Sequence, residues 1–170
     1  VLLSPLSMYI KQGEKIAIIG ESGSGKTTLL NTIHGEVSPT SGWIAFAGKS
    51  LSRQEITSVS SYILQDSHYF DTLSLEDNIL LGMPKKRERL NHILKTTGLE
   101  HLKNRTLSNE SLSGGEKQRL EIARALYHDS QLILADEIKA NLDLENSKKI
   151  SDLLFSLPQT VIEVIHHYTE

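Results

Sequence analysis

Gly20-Glu21-Ser22-Gly23-Ser24-Gly25-Lys26-Thr27 decides the fold class, because it has the spacing of a phosphate-gripping loop and stands between an apolar run and a helical pattern. Lys15-Ile16-Ala17-Ile18-Ile19 reads as a buried strand and Lys26 to His34 as the helix after it, the setting in which such a loop works. Glycines at 20, 23 and 25 let the backbone curl with its N–H groups inward, and that nest at a helix N-terminus attracts anionic phosphate. Ser22, Ser24 and Thr28 belong to the same phosphate-binding stretch. Lys26 is expected to reach the outer phosphates, and the Thr27 hydroxyl to hold Mg²⁺. An accidental glycine-rich turn of this spacing has odds of about 1 in 100 in a chain of this length. The stretch therefore predicts a nucleoside triphosphate site.

With 170 residues the chain can hold one sizeable core and has little room for a second independent domain. Its 38% hydrophobic content is ordinary for a globular protein, and no apolar run approaches the ~20 residues that span a bilayer. Any membrane role is expected to come through a partner. The absence of cysteine excludes disulfides and thiolate metal sites, and fits a reducing cytoplasm. The histidines lack ligand spacing. A net charge of −3 argues against nucleic acid as a partner, and the basic cluster Lys85-Lys86-Arg87 with Arg89 reads as the solvated start of a helix.

Four strand-like runs end in polar or glycine residues: Ile16 to Ile19 before Gly20, Tyr62 to Leu64 before Gln65, Leu132 to Ala135 before Asp136, and Val161 to Ile165 before His166. Three follow helical patterns, which predicts crossovers and a parallel sheet, with Gly20, Gln65, Asp136 and His166 converging where such sheets bind ligands. Turns over Gly35 to Gly42 lead into Trp43-Ile44-Ala45-Phe46, read as a strand of an antiparallel subsheet. Helices follow: a capped start at Ser74-Leu75-Glu76-Asp77, a periodic stretch from Leu90 to Thr97 with Gly98 as its stop, and a capping box at Ser113-Gly114-Gly115-Glu116. Asp143 to Leu157 reads as a last helix, stopped by Pro158.

Leu112-Ser113-Gly114-Gly115-Glu116-Lys117-Gln118-Arg119 resembles the signature motif of ABC ATPases, and it precedes Asp136-Glu137 at the distance used in that family. With the phosphate loop, Gln65, Ala140-Asn141-Leu142-Asp143 and His166, the resemblance to a transporter's nucleotide-binding domain covers essentially the whole chain in order. It implies an α/β fold: a P-loop NTPase, RecA-like core with a mostly parallel sheet, a small antiparallel β subdomain and an inserted α-helical subdomain. The expected division is a core of 1–65 and 116–170 with the helical insert at about 66–115, one ABC ATPase domain that reads as trimmed at both ends.

The resemblance also implies roles. Asp136, Thr27 and Gln65 would hold Mg²⁺, Glu137 would accept a proton from the attacking water, and Gln65 would bridge metal and water. His166 and Lys26 would act on the γ-phosphate, and His166 is preferred to His167 because neighbours in an extended segment face opposite sides. Ser113, Gly114, Gly115 and Glu116 would act in trans on the ATP of a second ABC ATPase domain in a head-to-tail dimer, with Asn141 and Asp143 in the loop that crosses it. The cofactors are then ATP and Mg²⁺, the further partner a transmembrane domain, and the location the cytoplasmic face of the cell membrane.

Several positions depart from the family pattern. The aromatic residue that stacks on adenine lies upstream of the phosphate loop in the family; Tyr9 is too close to Gly20 to serve and reads as a strand residue. Ala140 stands where many members have Ser. Glu163 interrupts an apolar strand, so it is expected to be paired or near an edge. A non-transport ABC protein would show coiled-coil insertions or two cassettes, and an inactive regulatory cassette would not keep Lys26, Asp136, Glu137 and His166. Kinase and GTPase readings leave Ser113-Gly114-Gly115 unexplained. Thr72 to Gly82, containing Glu76-Asp77-Asn78-Ile79, together with the short helical insert, resembles exporter-type cassettes.

Overall fold

The computed structural model describes residues 6–66, 68–103, 105, 107 and 112–165. The chain packs as two units, one of residues 1–62, 130–137 and 158–170, the other of 63–129 and 138–157.

The first unit is built on a four-stranded sheet of β1 (Lys15–Ile19), β2 (Ser60–Ile63), β3 (Leu132–Asp136) and β4 (Thr160–Ile165), in the order β1-β4-β3-β2. Both neighbours of β4 run parallel to it, as the crossover reading predicts. Side chains alternate between faces along each strand, so register decides what meets the core. Ile16, Ile162 and Leu134 form one row across the sheet, and Ile18, Val164 and Asp136 the next. These rows face α1 (Lys26–Ile33), whose Leu30 and Ile33 join Leu132, Leu134, Ile162 and Val164 in one apolar cluster. Asp136 is thus the last residue on the face covered by the helix of the phosphate loop.

Glu163 sits in the opposite row, between Ala17 and Ala135. Of the two expected settings, paired or near an edge, the edge is not found, since β4 is interior; Glu163 is half-buried between the two alanines and has an interaction partner. β1 is also less buried than its apolar run suggests. It is the edge strand, and Ile19 is 54% exposed.

Trp43 to Phe46 forms no strand. A single antiparallel bridge joins Phe46 to Lys49 around Ala47 and Gly48, both at positive φ (48° and 76°), the backbone of a two-residue hairpin turn. Such a ribbon without further strands has too little partner surface to extend, and Trp43 is 80% exposed. Tyr9, expected in a strand, lies in irregular backbone and is exposed. A short helix α2 (Arg53–Val59) precedes β2, started by a full capping box in which Ser52 and Glu55 bond each other's backbone N–H.

The second unit is helical: α3 (Leu75–Leu80), α4 (Arg87–Thr96), α5 (Gly114–Tyr127) and α6 (Leu144–Ser156), with a 3₁₀ turn at Glu100–Leu102. Its core gathers Leu75, Ile79, Leu90, Leu94 and Leu99, all fully buried, around Leu120, Ala123 and Tyr127 of α5. That 120, 123, 127 stripe is why α5 packs with the helices that precede it. Two helix starts follow the expected caps, with Ser74 accepting from the Asp77 N–H and Ser113 from that of Glu116; the start of α6 is capped by Asp143, which accepts from the Asn146 N–H. Gly98 (φ 67°) ends the segment containing α4.

Candidate active site

The phosphate loop is shaped by its glycines. Gly23 (φ 77°) and Gly25 (φ 94°) adopt left-handed backbone that residues with a Cβ reach only at a cost of roughly 1–2 kcal/mol. Gly25 is the N-cap of α1 and makes no side-chain cap, so no capping side chain occupies the positive end of the helix. Lys26, 7% exposed, folds back so that Nζ donates to the carbonyl oxygens of Gly20 and Glu21, each at 2.8 Å. Ser22, Gly23, Gly25, Lys26, Thr27, Thr28 and Glu137 line one open cleft of about 340 Å³. Hydroxyls, an ammonium group and helix-start amides suit a polyanion, and no aromatic residue is among the lining groups.

Glu137 reaches this cleft through an unusual backbone. It follows β3 directly and sits at φ 55°, left-handed for a non-glycine residue, with its N–H donating to the Val164 carbonyl at 3.2 Å. Strained backbone of this kind persists only where surrounding structure holds it, and it clusters at functional sites. Here it separates two consecutive carboxylates: Asp136 completes the sheet row facing α1, while Glu137 turns to the cleft.

Asp136 is 8% exposed. Its Oδ2 accepts from the Tyr62 hydroxyl at 3.0 Å, whereas Oδ1 is buried with no hydrogen-bond partner. Burial, and then the Asp136 charge and hydrogen bond, push the Tyr62 phenol far above its ordinary range, so it remains a donor at neutral pH. Tyr62 was read only as a strand residue. The available signal was its polar-tipped ring in an otherwise apolar run, since a buried tyrosine hydroxyl usually has a partner.

In the second unit, Ser113 caps α5 and is closed onto Glu116: Oε2 of Glu116 accepts from the Ser113 N–H at 2.8 Å and from its hydroxyl at 2.7 Å. Burial alone would raise the Glu116 carboxyl, but the Ser113 bonds and His101 at 3.0 Å outweigh it and hold the group below its ordinary range. The two glycines after Ser113 permit close approach. A Cβ on Gly114 would come within 2.9 Å of Leu142 Cδ2, and one on Gly115 within 2.7 Å of Asn146 Oδ1. Asn146 is bonded in turn to Asp143, its N–H to Oδ1 at 2.8 Å and its Nδ2 to Oδ2 at 2.7 Å. The signature segment and the segment Asn141 to Asp143 therefore pack as one piece.

Gln65 belongs to this unit as well. Its carbonyl accepts from Gln118 Nε2 on α5 at 2.8 Å, and further along the same helix Arg124 donates to the carbonyls of His68 (2.7 Å) and Asn78 (2.8 Å). Gln118 and Arg124 were not anticipated as loop holders. His166 and His167 lie outside the described residues.

Three comparisons bear on this arrangement. The family model described as ABC transporter matches residues 3–140. The ABC transporter ATP-binding protein YxdL of Bacillus subtilis (strain 168) is 37% identical over 169 residues, covering 91% of this chain, which spans 65% of that relative's length. Among solved structures, cbiO1 from Clostridium perfringens, described as part of the ABC transporter complex cbiONQ, superposes with a TM-score of 0.88 at 30% identity over 98% of this chain and 72% of its own. MJ1267 in its ADP conformation, an ATP-binding cassette of an ABC transporter, gives 0.86 at 25% identity over 99% and 76%. A phosphate loop, a strand-end Asp136-Glu137 pair and a capped signature helix thus coincide with likeness over nearly the whole chain, and the chain belongs to the ATP-binding cassette family of ABC transporters, an ATP-hydrolysing family with the P-loop NTPase fold.

Proposed function

We propose that this chain binds ATP with Mg²⁺ and hydrolyses it to drive transport through a membrane partner, working as one half of a head-to-tail pair at the cytoplasmic face. The observation that carries the reading is that Glu137 lines the same cleft as Lys26, Thr27 and Thr28. Lys26 Nζ exchanges the Gly20 and Glu21 carbonyls for phosphate oxygens, which are stronger acceptors because they are charged.

The donors also fit a divalent ion. Asp136 offers a buried carboxylate oxygen with no hydrogen-bond partner and Thr27 a hydroxyl, an all-oxygen set of the kind Mg²⁺ takes along with phosphate and water. Among the described residues no cluster of three or more acidic, His or Cys side chains could hold a metal by itself. The bound ion supplies charge neutralisation at the phosphate oxygens. Glu137 accepts a proton from water as the water oxygen bonds to the γ-phosphorus; the bridging P–O bond breaks and its electrons leave on ADP. Gln65 and His166 take the metal-bridging and γ-phosphate roles that the family implies.

Ser113, Gly114, Gly115 and Glu116 act on the partner's ATP, where the helix start of α5 presents N–H groups and a positive dipole end. Asn141 and Asp143 lie in the loop that crosses the pair. Among the described residues no helix is long and apolar enough to cross a membrane. We assign the direction as export, supported by the resemblance of Thr72 to Gly82; vesicle transport assays of the complete complex decide it.

The shared site is tested by mixing a Ser113→Arg copy with a Lys26→Ala copy. Their heterodimer contains one intact and one doubly altered site. ATPase activity above that of either variant alone is expected, and no recovery in a mixture shown to form heterodimers overturns the composite site.

A further inference from the structure

We propose that Tyr62 is a positioning residue for the divalent ion: its hydroxyl holds Oδ2 of Asp136 and thereby reserves Oδ1 for the metal or its water. The two oxygens of Asp136 are treated differently by the protein. Oδ2 accepts from Tyr62 Oη at 3.0 Å, and Oδ1 is buried with no protein donor. A buried carboxylate oxygen left without a donor keeps the full desolvation penalty of that group. An ion or its hydration water removes that cost, and the fixed Oδ2 removes the carboxylate's rotational choice of which oxygen to present.

The tyrosine is itself braced. Its ring meets the edge of His34 with centroids 5.5 Å apart and planes at 64°. His34 is the C-cap of α1, and its Nδ1 lies 3.0 Å from Ser60 Oγ. Ser60 Oγ also donates to the Ile56 carbonyl at 2.7 Å. A continuous chain thus runs from Ile56 through Ser60, His34 and Tyr62 to Asp136, and its middle member terminates the helix that the phosphate loop begins. Outer-shell partners of this kind fix the orientation of metal ligands and are worth about 10- to 100-fold in metal affinity.

This inference rests on Asp136 as the metal-holding carboxylate, and the experiment separates the two claims. Mn²⁺ is titrated by electron paramagnetic resonance against the full chain with a non-hydrolysable ATP analogue, comparing wild type, Tyr62→Phe and Asp136→Asn. Tyr62→Phe retains the ring against His34 and removes only the hydroxyl. Its Mn²⁺ dissociation constant is expected to rise about tenfold or more, while analogue binding in EDTA stays at the wild-type value. A change below twofold, with Asp136→Asn strongly weakened, overturns the positioning role and leaves the Asp136 assignment standing. Unchanged Mn²⁺ binding in Asp136→Asn overturns that assignment and this inference with it. A Tyr62→Phe variant that loses thermal stability but holds Mn²⁺ normally shows the bond to be structural only, which also overturns it.

Discussion

Gly115→Ala isolates why the signature segment needs its second glycine. The added Cβ would stand 2.7 Å from Asn146 Oδ1 and 3.0 Å from its Cγ, with Arg119 Nη1 at 3.2 Å. The nearest obstruction is the end of a side chain, so Asn146 rotates away and its backbone stays. What is lost is the Nδ2 bond to Asp143 Oδ2 at 2.7 Å, an exposed charge-assisted contact weakened by solvent. Against this, Ala in a helix in place of Gly gains roughly 0.5–1 kcal/mol. The displaced side chain and the lost bond offset that gain, and Gly115→Ala should change stability by about 0.5 kcal/mol or less.

The test lies in the background. In Asn146→Ala the obstruction and the bond are both gone, so Gly115→Ala should then stabilise by the full propensity gain, roughly 0.5–1 kcal/mol. The double-mutant cycle in urea denaturation should return a coupling of at least about 0.5 kcal/mol, as for residues in contact. A coupling below about 0.3 kcal/mol, indistinguishable from additivity, refutes close approach as the reason for the glycine.

Two further outcomes follow from the packing and the cleft. Leu94→Ala, in the fully buried centre of the helical unit, should cost about 2–5 kcal/mol in denaturant unfolding. A loss below about 1 kcal/mol would mean that this core relaxes as no native core of this density does. Because the residues lining the cleft include no aromatic, inorganic triphosphate should bind the 170-residue chain within about fivefold of ATP by calorimetry, a difference below the roughly 1–3 kcal/mol of a stacked base. Strong preference for ATP would mean that a residue beyond the cleft lining holds adenine.

The readable parts of the chain were those whose chemistry is local. The loop from Gly20 to Thr27 carries its conformation in its glycines, and the starts of α3, α5 and α6 in Ser74, Ser113 and Asp143, because caps are satisfied within three residues. The start of α2 was equally local, in Ser52 and Glu55, and went unread. Other features depend on what packs where. Whether Ile19 and Trp43 are covered is decided by distant segments, and both are exposed. The left-handed Glu137, the Tyr62 bond to Asp136 and the grip of Gln118 and Arg124 on the loop after Gln65 arise from register and from contacts more than 40 positions apart, which no local pattern encodes.

The central claim is that Glu137 activates water for attack on ATP held by Lys26 and Thr27. Single-turnover hydrolysis of Mg·ATP by a dimerisation-competent form, wild type against Glu137→Gln, tests it most directly, with nucleotide affinity measured on the same samples. Glutamine keeps the size and the strained backbone but cannot take the proton. Unchanged Mg·ATP binding is expected, with the chemical step slowed about 10²- to 10⁴-fold, the range of general-base catalysis. A Glu137→Gln rate close to that of the unmodified protein would contradict it.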